Sequence, residues 1–309
     1  MSRKAKCLLL WLCALVLSAQ AQLTYSGTTT ADAFLATGSP GNPVGTDLTG
    51  DNFGAAGTLA ISPASADKGA FESVIRFNFS AAVALFNSAY GTNAWNVSAI
   101  SLTLTSNYGT NGVQPNNKIF NVVSNGNFVI EWITNDIWAE GTGTPALPTS
   151  DGVTWDSLPG LLSGPCKILG TNIYSPPGIN VPVTYPLPLD TNLITAIVSG
   201  GDTSLLFYAA DNQIGYLFNS REYGRGNDPL INLTATPLLE ILSGHFTNGV
   251  FHLTGICSPN VQCEVQANSD LTKTNWQILG TVTTTNGIIQ FDDTAATNQH
   301  RFYRLSESF

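Results

Sequence analysis

Two arginines and two tyrosines crowd the segment Tyr216-Leu217-Phe218-Asn219-Ser220-Arg221-Glu222-Tyr223-Gly224-Arg225. A sugar offers a face of C–H groups and a rim of hydroxyls, so a glycan site pairs an exposed aromatic ring with a few planar hydrogen-bonding side chains. If a strand continues through this segment, alternation sets Arg221, Tyr223 and Arg225 on one face, with Tyr216 upstream. This makes it the first-choice carbohydrate-binding segment. The competing reading is that Arg221 and Glu222 make structural hydrogen bonds inside the fold. Trp132 and Trp155 supply further candidate rings. Trp132 stands beside Glu131 with Ile130 and Ile133 around it, and periodicity does not decide which face it takes.

Other residue types allow other chemistries. Glycoside hydrolysis needs two carboxyl groups flanking the bond. Glu131, Asp136, Glu140, Asp156, Glu222 and Asp228 are available, but no spacing fixes a pair across a cleft. In Asp47-Leu48-Thr49-Gly50-Asp51-Asn52-Phe53-Gly54, the oxygens of Asp47, Asp51 and Asn52 form a calcium-like donor set without the EF-hand spacing. The alternative is a tight turn in which these side chains bond their own backbone. No cofactor is required, and calcium is the one candidate. His245 and His252 flank Asn248-Gly249 and could face each other in a hairpin, but no third ligand is evident for zinc. Cys257 and Cys263 flank a turn at Pro259-Asn260 and could pair as a disulfide; Cys166 is left over as a buried thiol.

Composition narrows the class. Of 309 residues only 11% are charged and 43% are hydrophobic, which with abundant Thr, Ser, Asn and Gly suits short strands joined by polar turns. Twelve basic against 21 acidic residues give net −9 and offer no continuous field for a phosphate backbone, which disfavours a nucleic-acid partner. Arg3, Lys4 and Lys6 precede an apolar run from Leu8 to Leu17 and then Ser18-Ala19-Gln20-Ala21, the three parts of a secretory signal with cleavage after Ala21. The run is too short to span a bilayer, so a secreted, extracellular or cell-surface protein without a membrane span is expected. Cleavage removes three cations and leaves 9 basic against 21 acidic residues, net −12. That charge favours neutral glycans unless Arg221 and Arg225 form a local cationic patch.

The elements that must position these residues are mostly strands. They read as Thr28 to Ala36, Gly57 to Ile61, Ser73 to Phe79, Asn96 to Thr105, Lys118 to Val123, Phe128 to Ile133, Ser204 to Ala210, Gly215 to Asn219 and Leu230 to Ala235. Ile75, Phe77 and Phe79 share one face of their strand, with Arg76 and Asn78 on the other. Short helices are predicted over Ala81 to Tyr90 and, capped by Asp190, over Thr191 to Ser199. Residues 141–188, rich in Pro and Gly, read as long surface loops. Pro237 marks a boundary, after which Val250 to Leu253, Gln262 to Gln266, Trp276 to Thr283, Ile288 to Phe291 and Arg301 to Leu305 read as five short strands. The expected organisation is a signal peptide over 1–21, a jelly-roll-like β-sandwich over 22–236 and a smaller β-sandwich over 237–309.

Six fragments carry a family resemblance: Asp32-Ala33-Phe34, Asp51-Asn52-Phe53-Gly54, Val74-Ile75-Arg76-Phe77-Asn78-Phe79-Ser80, Trp138-Ala139-Glu140 answered by Val153-Thr154-Trp155, Phe218-Asn219-Ser220-Arg221-Glu222, and Asp228-Pro229-Leu230-Ile231-Asn232-Leu233. In this order they resemble the DNRLRE-type β-sandwich modules of secreted bacterial proteins, a family that includes carbohydrate-binding modules of polysaccharide-degrading enzymes. The resemblance implies a jelly-roll-like sandwich, secretion and a role in holding glycan, not catalysis. It places Trp138 and Trp155 at positions that recur with the fold, where a ring is more often core than platform. Asn78 stands where the family has Asp, and the signature that names the family is absent. Residues 237–309 resemble a short C-terminal module of secreted environmental bacterial proteins, on Val250-Phe251-His252-Leu253-Thr254-Gly255, Val265-Gln266-Ala267-Asn268-Ser269-Asp270-Leu271, Asn275-Trp276 and Arg301-Phe302-Tyr303-Arg304-Leu305. The expectation is a non-catalytic polysaccharide-binding protein, against a structural or adhesive surface protein and a polysaccharide lyase or hydrolase.

Overall fold

The computed structural model describes residues 22–38, 46–64, 69–107, 120, 125–174, 180–212, 215–224, 226–296 and 301–308. The signal segment 1–21, Arg225, and the strand read over Lys118 to Val123 apart from Phe120 lie outside them. The chain divides into two compact units at Thr236 and Pro237.

The first unit is an all-β, jelly-roll-like sandwich. Its strands are β1 (Leu23–Thr28), β2 (Ala31–Ala36), β3 (Thr58–Ile61), β4 (Phe71–Asn78), β5 (Trp95–Thr105), β6 (Gly126–Ile133), β7 (Cys166–Tyr174), β8 (Pro182–Leu187), β9 (Asp202–Ala209), β10 (Tyr216–Asn219) and β11 (Leu230–Pro237). One sheet runs β1-β11-β5-β8, a second β2-β4-β9-β6-β7, and β3 pairs with β10. The alternation read in β4 sends Ile75 and Phe77 inward, where they meet Phe128, Ile130 and Phe207 of their own sheet and Leu102, Leu104, Ile231 and Leu233 of the facing one. Each of these side chains is buried, and at about 1.5–3 kcal/mol apiece they supply the main term holding the sheets together.

Helix α1 (Ser80–Tyr90) packs Ala82, Phe86 and Tyr90 into this core. Asn78 Oδ1 accepts from the Ser80 N–H at 3.1 Å and so satisfies one of the free donors at its start. Between α1 and the last helix lies a one-turn α2 (Leu158–Leu161). Helix α3 (Thr191–Val198) has the predicted cap: Asp190 Oδ1 accepts from the N–H groups of Asn192 and Leu193 at 2.9 and 3.1 Å. Segment 141–188, expected as loop, instead contains β7 and β8. Both are edge strands of their sheets. An edge strand leaves one row of N–H groups unpaired, which is why Pro182 and Pro186 are tolerated in β8.

The second unit contains β12 (Glu240–Thr247), β13 (Val250–Ile256), β14 (Gln262–Asn268), β15 (Gln277–Thr283), β16 (Ile288–Asp293) and β17 (Phe302–Ser308). They form two three-stranded sheets, β12-β13-β16 and β15-β14-β17. β12 was not foreseen, because nearly all its side chains are exposed and no apolar alternation marks it. A small core joins Cys257, Cys263 and Ile289. Cys257 and Cys263, which the sequence allowed to pair, stand there as two buried free thiols. They share a hydrogen bond, which lowers the Cys257 thiol and raises that of Cys263.

Candidate functional site

The family-like fragments converge on one another, and their polar groups are spent holding the chain in place. Asn52 is buried, with its Nδ2 donating to the Glu140 and Val153 carbonyls at 2.6 and 2.8 Å. Its Oδ1 accepts from the N–H groups of Gly54 and Gly143, both at 3.1 Å. One side chain thus ties segments 52–54, 140–143 and 153 together. A Cβ on Gly141, Gly143 or Gly152 would collide with Asn52, which accounts for three glycines in this loop. Asn52 is therefore a clamp, its side-chain oxygen already accepting two backbone N–H groups.

Asp47 is likewise local: its Oδ1 accepts from the Thr49 N–H at 3.0 Å and the Thr49 hydroxyl at 2.8 Å, and these bonds hold its carboxyl below the usual range. The Asp51 N–H closes the same turn on the Leu48 carbonyl at 3.0 Å. The turn has a purpose, since the Thr49 carbonyl accepts from the Asp156 N–H at 2.9 Å. It thereby braces the short 3-10 turn Trp155–Ser157, whose entry is fixed by the Ser157 hydroxyl accepting from the Thr154 N–H at 2.9 Å.

Arg221 also departs from the strand reading. β10 ends at Asn219, and Arg221–Tyr223 coil into a 3-10 turn closed by left-handed Gly224 (φ 70). No alternating face forms. The Arg221 guanidinium binds the Glu140 carboxylate and lies 3.0 Å from Glu222, while the Arg221 backbone N–H donates to Asp32 Oδ2 at 2.9 Å. The structural alternative for Arg221 and Glu222 is thus the one the geometry supports. Asp32, Glu140 and Glu222 bring carboxylate oxygens within 4.8 Å of one another, and Arg221 supplies a cation among them. Burial, then Glu222 and Glu140, raise Asp32 to about 7; burial also raises Glu140. Tyr223 is half-buried, its hydroxyl donating to Asn180 Oδ1 at 3.2 Å.

Two of the expected rings are core. Trp132 is 7% exposed and Tyr216 is fully buried, edge-on to Tyr174 with ring centroids 4.1 Å apart, so neither can stack on a ligand. The reason is face: Trp132 follows the inward row of β6 with Phe128 and Ile130, and all four residues of β10 are buried. Trp138 is half-buried, with the Arg76 guanidinium 4.9 Å over its ring.

Trp155 is different. With Trp138, Val153, Leu158 and Leu161, it packs over Val74 and Leu206 on the outer face of the five-stranded sheet. One edge of it lines a groove of about 380 Å³ with Glu72, Ala70, Tyr208, Asp211 and Asn212. Glu72 (β4) and Tyr208 (β9) stand on neighbouring strands, and Glu131 follows on β6. Burial, then the charge of Glu131, raise Glu72 to about 7; burial, then Glu131, push the Tyr208 phenol up to about 12. Sequence reading missed Glu72 and Tyr208. The available signal was a Glu at an outward position of an alternating strand, but only the strand order shows that it meets Tyr208.

No family model matches the chain, and no curated protein does. Among solved structures, the chain aligns with the glycoside hydrolase domain of Endo-D from Streptococcus pneumoniae R6 at 11% identity and TM-score 0.15, over 93% of this chain and 37% of that one. It aligns with a β-D-glucuronidase of Dictyoglomus thermophilum at 6% identity and TM-score 0.20, over 94% and 44%. For the β-glucuronidase of Ruminococcus gnavus the values are 8%, 0.21, 92% and 41%. The chain spans less than half the length of each, and at these TM-scores the likenesses carry no argument. No helix among the described residues is long and apolar enough to cross a membrane.

Proposed function

We propose that the protein is a secreted, non-catalytic polysaccharide-binding protein whose first unit is a DNRLRE-type module, and that it holds glycan in the groove beside Trp155. The observation that carries this reading is the pairing of two aromatic side chains, Trp155 and Tyr208, with the planar groups of Glu72, Asp211 and Asn212 around one groove on the sandwich. Rings receive C–H faces and the polar rim receives hydroxyls, the division of labour a sugar requires. The groove's charged lining residues are all acidic, which supports a neutral glycan over an acidic one. The six family-like fragments support the reading indirectly, as the frame that seats the Trp155 turn. The test is retention on insoluble neutral polysaccharides: the intact protein is expected to bind, and Trp155→Ala and Tyr208→Ala to lose at least about tenfold in affinity.

One observation favours a second reading, a polysaccharide hydrolase. Glu72 is raised to about 7, so a large share of it carries the proton a general acid needs at neutral pH, and Glu131 shares its sheet face. Release of soluble sugar by the intact protein, lost in Glu72→Gln, would establish that reading; binding without release excludes it for the glycans tested.

A further inference from the structure

We infer that the small second unit carries a site for a divalent transition-metal ion of the zinc, nickel or copper class, built on His245 and His252 with Asp292 behind them. β12 and β13 are joined through Asn248 (φ 50) and Gly249 (φ 82), both left-handed, the backbone of a tight two-residue hairpin turn. Its register sets His245 directly opposite His252, and the register of β13 with β16 sets Asp292 opposite His252 on the other side. The three residues thus form one row across three strands.

The two imidazoles lie face to face on adjacent strands, with centroids 5.0 Å apart and planes 25° from parallel. Asp292 Oδ1 is 2.7 Å from His252 Nδ1. A carboxylate at that nitrogen takes the N–H and leaves the Nε2 lone pair free, the carboxylate–histidine arrangement by which metal-binding histidines are oriented. His245 is exposed and His252 half-buried, so an ion can enter and complete its shell with water. Imidazole donors select borderline ions over calcium or magnesium, which take oxygen ligands.

The test is isothermal titration of the full, untagged protein with zinc, nickel and copper salts alone, beside calcium as the oxygen-seeking comparison. One transition ion per chain is expected, with none of calcium at this site. His245→Ala and His252→Ala each abolish that ion, and Asp292→Asn weakens it by about tenfold to a hundredfold. Histidine ring resonances of His245 and His252 should shift or broaden with the first equivalent of metal. Circular dichroism of each variant separates a lost ligand from a lost fold. Stoichiometric binding that survives both histidine substitutions, or no binding by a folded protein, overturns the proposal.

Discussion

At the residue scale, the side chains that first suggest sugar binding divide between core, frame and groove. Trp132 is core, and Trp132→Ala should destabilise the first unit by about 3–5 kcal/mol in urea denaturation. Asn52 is frame. Asn52→Ala strands two buried carbonyls and two N–H groups and should cost about 3 kcal/mol or more by the same measurement, with a lost grip on the Trp155 turn. Glu72 and Asp32 set a pH dependence. Both are raised in the fold to about 7 from ordinary carboxylate values, so the fold prefers their protonated forms. The stability this gives is fully present below the unfolded value and is lost as pH rises through about 7. Melting temperature should therefore fall between roughly pH 4 and 7 and level off above that, and Glu72→Gln should flatten the fall; an unchanged slope in that variant would remove Glu72 from the account.

Elements differ in how plainly they can be read. β4 was legible because its two faces differ, with Ile75 and Phe77 inward and Arg76 and Asn78 outward, and α3 because Asp190 caps it. β7 and β8 were not, because edge strands tolerate Gly170, Pro182 and Pro186 and half their side chains meet solvent. The segment Arg221 to Arg225 misled because alternation holds only while a strand continues, and β10 ends at Asn219. The site suffered most: Glu72 and Tyr208 lie far apart in sequence and become neighbours only through the order β4-β9-β6. Asn78, where the resemblance leads one to expect Asp, has a structural partner. It sits opposite Asp202 and donates to its Oδ1 at 2.8 Å, so an Asp there would set two carboxylates against each other. Asn78→Asp should lower stability by up to about 1 kcal/mol near neutral pH, an effect that low pH should erase.

Across the whole molecule, the two proposed sites lie in separate units. The groove belongs to Gln22–Thr236 and the histidine row to Pro237–Phe309, so glycan affinity and metal affinity should respond to different substitutions. Trp155→Ala should leave metal titration unchanged, and His252→Ala should leave glycan retention unchanged. The central claim is that the Trp155 groove, rather than the Arg221 turn, receives the sugar. The most direct measurement is retention of the protein, Trp155→Ala and Tyr223→Ala on a panel of neutral polysaccharides, with released sugar assayed in the same tubes. The account predicts that the intact protein and Tyr223→Ala are retained, that folded Trp155→Ala is not, and that no sugar is released. Retention of Trp155→Ala with loss in Tyr223→Ala, or release of product, would contradict it.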